Sequence, residues 1–134
     1  MKKLFITALA ATALAACSNA PKSASDSVEA THTPDYYGVY TGTLPCADCE
    51  GTRVEVALND SSRFTRKTVY LGKDTTVYEE TGAYLWDGET RIITLEGVIG
   101  APDKYLVGEN ELKQLDMEGK EITGELADKY ILKK

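Results

Sequence analysis

The stretch "RVEVAL", residues 53–58, decides the fold class. Val54, Val56 and Leu58 fall on one side of an extended chain, and Arg53, Glu55 and Ala57 on the other. Successive side chains of a strand point to opposite faces, so a period of two describes a strand with one face in a core and one in water. A helix would place its apolar residues three and four apart. Here they are two apart.

The pattern recurs on both sides of this stretch. "YEETGAYLW" (78–86) puts Tyr78, Gly82, Tyr84 and Trp86 on one side, while "RIITL" (91–95) and "KYLV" (104–107) are short and rich in β-branched or aromatic residues. Turn signals separate them: Asn59-Asp60-Ser61-Ser62, Gly72-Lys73-Asp74, Asp87-Gly88, Gly108-Glu109-Asn110 and Glu118-Gly119. The spacing predicts eight strands, near 37–44, 52–59, 63–72, 76–86, 90–96, 104–108, 111–117 and 129–133. The expected fold is all-β, a small eight-stranded antiparallel meander that closes into a barrel and so removes its edges. Its interior would be filled by side chains or hold one small ligand. Leu112 and Leu115 lie three apart, which requires a bulge or places Leu112 in the preceding turn. "EITGELAD" (121–128) fits either a loop or one helical turn.

The chain opens with "MKKLFITALAATALAACSNA". Lys2 and Lys3 precede an apolar run, Leu4 to Ala16, that is too short to cross about 30 Å of hydrocarbon as a helix. Residues 1–16 are read as a secretory signal peptide. "LAAC", ending at Cys17, resembles the bacterial lipobox, and the resemblance implies cleavage before Cys17 and acylation of that residue. Several acyl chains anchor a protein stably where one does so marginally. By the sorting rule of such lipoproteins, Ser18 in place of an aspartate favours the outer membrane; a periplasm-facing domain is a separate expectation that this rule does not supply.

Residues 18–35 are rich in Ser, Ala, Thr and Pro and poor in large apolar groups, so 17–35 is expected to be a lipidated flexible tether and 36–134 the single folded domain. The full chain carries 15 basic and 21 acidic residues. Removal of the signal takes away Lys2 and Lys3 and no acid, leaving a net charge of −8. That sign repels phosphate backbones and anionic lipid, which argues against nucleic acid as a partner and leaves the acyl anchor as the membrane contact.

The chemistry concentrates in "LPCADCEG", residues 44–51. Cys46 and Cys49 follow one strand pattern and precede another, with no helix whose N-terminus would activate a thiol for redox catalysis. Structural zinc wants four ligands. The domain offers one cysteine pair, and the sole histidine, His32, lies in the tether. Two readings stay open: a small disulfide formed in an oxidising compartment, and a dithiolate clamp for Cu(I). Asp48 between them is able to tune the pair, though a carboxylate there also suits a turn.

"GVYTGTLPCADCEGTRVEVAL", "TVYLGKD", "GAYLWDG", "IITLEG" and "YLVGENELKQLDMEGKEI" together resemble the N-terminal domain of the NlpE family of outer-membrane lipoproteins, over almost all of residues 37–122. The resemblance implies a lipocalin-like β-barrel with the Cys-x-x-Cys on a loop, and a role in copper tolerance and envelope stress signalling. By position it assigns Cys46 and Cys49 as the metal or redox pair and Cys17 as the lipid site. The best-known members carry a second, C-terminal domain, whereas this sequence ends at "DKYILKK". The barrel, the anchor and the cysteine loop are what carries over.

The expected function is therefore that of a non-catalytic, monomeric, outer-membrane-anchored protein acting in copper or redox homeostasis or stress sensing, with Cu(I) as its candidate metal. One alternative is a carrier of a small apolar ligand, although eight tyrosines and one tryptophan also serve simply to fill a small core. Another is a protein-binding module, for example an inhibitor of a basic envelope enzyme such as lysozyme, with a purely structural disulfide. An enzyme is not expected. The domain has no histidine, and Glu79 and Glu80, being adjacent on a strand, point to opposite faces.

Overall fold

The computed structural model describes residues 36–134. The signal peptide, Cys17, His32 and the tether of 17–35 lie outside the described residues. Eight strands follow in order: β1 (Gly38–Leu44), β2 (Gly51–Leu58), β3 (Arg63–Leu71), β4 (Tyr78–Asp87), β5 (Ile92–Leu95), β6 (Lys104–Gly108), β7 (Glu111–Gln114) and β8 (Ile131–Lys133). Each pairs antiparallel with the next, and β8 returns to β1 through Thr41 and Lys133, closing an eight-stranded barrel. The all-β meander expected from the period of two is the observed architecture.

The register explains the core. Tyr40 lies opposite Val56, and Leu58 opposite Phe64, so the inward residues of neighbouring strands meet inside the barrel. Tyr40, Val56, Ile93, Leu95, Tyr105, Leu112 and Leu132 are almost wholly removed from water. Each such side chain contributes about 1.5–3 kcal/mol on burial.

The turns act through the side chains that marked them. Asn59 Oδ1 accepts from the backbone N–H of Ser61 (3.2 Å) and Arg63 (2.8 Å), bending β2 back into β3. Asp116 Oδ1 accepts from Glu118 and Lys120, both at 2.8 Å. Asp74 Oδ1 takes the Thr76 N–H at 2.9 Å, and this local turn delays β4 to Tyr78 where 76 was expected.

Strand β7 also differs from expectation. It ends at Gln114 instead of 117, because Leu115 bridges Glu121 across the turn that Asp116 organises. Leu112 stays in the strand, facing inward, and Leu115 is buried just past its end, outside the main apolar cluster. Neither a bulge nor a displaced Leu112 is needed. Segment 121–128 is mostly loop, with a single 3-10 turn at Ala127–Lys129 that postpones β8 to Ile131 where 129 was expected.

The two ends of the barrel are unlike. At one, Tyr36 stacks on Trp86 with ring centroids 4.6 Å apart, and Tyr84 donates to Asn59 O at 2.7 Å. Burial pushes the Tyr84 hydroxyl pKa up, so it remains a donor. At the other end, where β1 runs out at Leu44, the barrel is open.

Candidate functional site

The loop 45–50 crosses this open end between β1 and β2. Cys46 and Cys49 are half-buried and joined as a disulfide, with Cα atoms 5.3 Å apart. The loop contains no helix, and β2 begins at Gly51, two residues past Cys49. Among the described residues no helix N-terminus adjoins either sulfur.

Asp48 stands exposed between them. Its Oδ1 lies 3.5 Å from Cys46 Sγ, and its Oδ2 accepts a hydrogen bond from Lys73 Nζ at 2.6 Å. The Lys73 ammonium beside it holds the Asp48 carboxyl below the usual carboxylate range, and the same contact raises Lys73. Glu50 N–H donates to Leu71 O at 3.0 Å, so the loop is tied to the β3–β4 turn at two points. Both sulfurs and a carboxylate oxygen of Asp48 lie within 4.8 Å of one another. Once reduced, two thiolates at that spacing suit a soft, low-coordinate cation such as Cu(I). Asp48 is the hard member of the set and already has a cationic partner. The disulfide form has no thiolate to offer.

Beneath the loop lies a cavity of about 680 Å³. Its walls include Leu44 and Pro45 beside the cysteines, Tyr70 and Tyr78 on β3 and β4, and Ile99 to Pro102 from the β5–β6 loop. Its polar members sit deep. Arg66 on β3, 6% exposed, donates through Nε to Glu80 Oε2 at 2.8 Å and through Nη1 to Pro102 O at 2.9 Å. Burial works against the Arg66 charge, but Tyr105 and Glu80 outweigh it and the net direction is upward. Gln114 is buried, and so is the Tyr105 hydroxyl, which makes no hydrogen bond of good geometry among the described residues and interacts electrostatically with Arg66.

This buried set was not expected from the sequence. The signal was present in "RFTRKTVYL": with Phe64 pointing inward, the period of two carries Arg66 inward as well. Glu80 faces Arg66 while its neighbour Glu79 is exposed.

A sequence profile of the NlpE N-terminal domain matches residues 40–125. The chain belongs to the NlpE family. Among solved structures, a protein from Shewanella oneidensis is 49% identical with a TM-score of 0.66, the match covering 75% of this chain and 89% of that one. The Cpx pathway activator NlpE from Escherichia coli is 26% identical with a TM-score of 0.55, over 66% of this chain and 46% of that one. The match thus spans less than half the length of the Escherichia coli protein. No curated protein matches. The chain is an NlpE family member whose barrel carries its cysteine pair on the β1–β2 loop.

Proposed function

We propose that this NlpE-type lipoprotein is held at the outer membrane by acylated Cys17, faces the periplasm as a monomer, and serves copper or redox homeostasis through Cys46 and Cys49. It binds and senses; it does not catalyse. The observation that carries the reading is the pair of half-buried sulfurs held together on a loop with no activating helix. A dithiol donor reduces the disulfide by giving it two electrons and two protons, itself becoming a disulfide. The reduced Cys46 and Cys49 would hold Cu(I) as thiolates, giving up their two protons to solvent. The Escherichia coli relative is a Cpx pathway activator, which supports a stress-signalling output for this loop.

The test is anaerobic titration of the full-length chain with Cu(I) against a chromophoric chelator. The reduced protein should take up one equivalent, and the oxidised protein and a Cys46→Ser, Cys49→Ser variant none. Failure of the reduced protein to compete would leave the pair a structural bridge.

A further inference from the structure

A second site lies in the cavity under the cysteine loop, and its chemistry differs from that of the sulfurs. About 680 Å³ is ample for a small ligand, since such sites run from about 300 to 1,000 Å³. The stacked Tyr36 and Trp86 lie at the far end of the barrel and do not line the cavity.

The deep part of the cavity is rich in donors. Buried polar groups in proteins are nearly always hydrogen-bonded, and among the described residues the Tyr105 hydroxyl falls short of this, having an electrostatic contact with Arg66 but no hydrogen bond of good geometry. Burial raises its pKa, so it keeps its proton and remains a donor. Beside it, the Arg66 guanidinium spends three N–H groups on Glu80 and Pro102 out of the five that the side chain carries. A group that satisfies such a floor must accept hydrogen bonds.

The charge balance excludes the obvious acceptor, a carboxylate. Arg66 is already neutralised by Glu80, Glu79 adds a second negative charge to the lining, and among the described residues no other lysine or arginine borders the cavity. An anion would enter a site with no spare positive charge. The mouth, by contrast, is apolar. Tyr70 and Tyr78 meet edge to face with centroids 5.7 Å apart, and Ile99 is 90% exposed on the facing loop. Ile99 together with the half-exposed Tyr70 and Tyr78 gives the mouth an apolar rim along which an alkyl chain can lie.

We propose that the open end of the barrel binds an uncharged amphiphile, whose ester or amide oxygen accepts hydrogen bonds from Tyr105 and Arg66 while its alkyl chain lies along Tyr70, Tyr78 and Ile99. The chemical class is that of a monoacylglycerol.

The experiment uses the full-length protein in lipid nanodiscs and a diazirine-bearing monodecanoylglycerol, with the matching decanoate as comparison. Photolabelled peptides are mapped by mass spectrometry. The glyceride should label the 66–80 and 99–105 segments and be displaced by unlabelled monodecanoylglycerol. Half-saturation should move to about tenfold higher concentration in Tyr105→Phe, the usual scale for losing one hydrogen bond to a ligand. Ile99→Asp, at an exposed position where folding is not at stake, should weaken labelling comparably. Labelling confined to the outer faces of the strands, or indifferent to both variants, would overturn the site. Equal labelling by decanoate would overturn its uncharged character.

Discussion

Arg66 and Glu80 face each other across β3 and β4 inside the barrel, with Nε 2.8 Å from Oε2, and the two are not equally buried: their side chains are 7% and 39% exposed. Removing the carboxylate strands a desolvated cation, whereas removing the guanidinium leaves a carboxylate that water still reaches. Breaking a buried pair from one side costs about 3–5 kcal/mol, and partial exposure of Glu80 reduces this to about 2–3 kcal/mol for Glu80→Gln. Arg66→Met, which fills similar volume with apolar atoms, should cost less. Chemical denaturation of the two variants tests the ordering, and a larger loss for Arg66→Met would contradict it.

Tyr105→Phe removes a hydroxyl that makes no hydrogen bond of good geometry and has only its contact with Arg66, so it should cost less than the usual figure of about 1 kcal/mol for deleting a satisfied buried hydroxyl. The denaturation midpoint decides this. A clear fall would show that the hydroxyl is engaged.

Barrel closure depends on a close approach at Gly42. A Cβ there would come within 2.7 Å of the backbone oxygen of Ile131, an atom that cannot move without displacing β8. Gly42→Val should lower stability by about 1–3 kcal/mol and selectively speed amide exchange in β8. Hydrogen exchange resolved by residue would show it, and uniform exchange across the barrel would not fit.

Alkaline pH should loosen the fold. Burial raises the pKa of both Tyr84 and Tyr105 above 10.0. An acid whose pKa is raised by folding contributes its stability in full below the unfolded value, and that contribution is lost as pH rises through the folded value. Denaturation midpoints should therefore hold steady just below pH 10 and fall above it, less steeply in Tyr84→Phe. A steady midpoint on both sides would contradict the assignment.

The barrel was legible because its evidence is local. Val54, Val56 and Leu58 announce a face, and Asn59, Gly72, Asp87 and Gly119 mark where it reverses. The strand ends were less legible, since they depend on side chains that compete with the ladder, as Asp74 does at the start of β4 and Asp116 beyond β7. The cysteine pair could be singled out from its flanking strand patterns alone. The interior cluster of Arg66, Glu80, Gln114 and Tyr105 could not, because its members come from four strands and only the closed register brings them together. Neither could the pairing of Asp48 with Lys73, which are 25 residues apart.

The most direct test of the account is the coordination sphere of the metal in the reduced, Cu(I)-loaded full-length protein, read by X-ray absorption at the copper edge. Two sulfur neighbours and no histidine-type nitrogen are expected, unchanged in Asp48→Asn. A nitrogen shell, a single sulfur, or a site that collapses when Asp48 alone is replaced would contradict the assignment of Cys46 and Cys49 as the working pair.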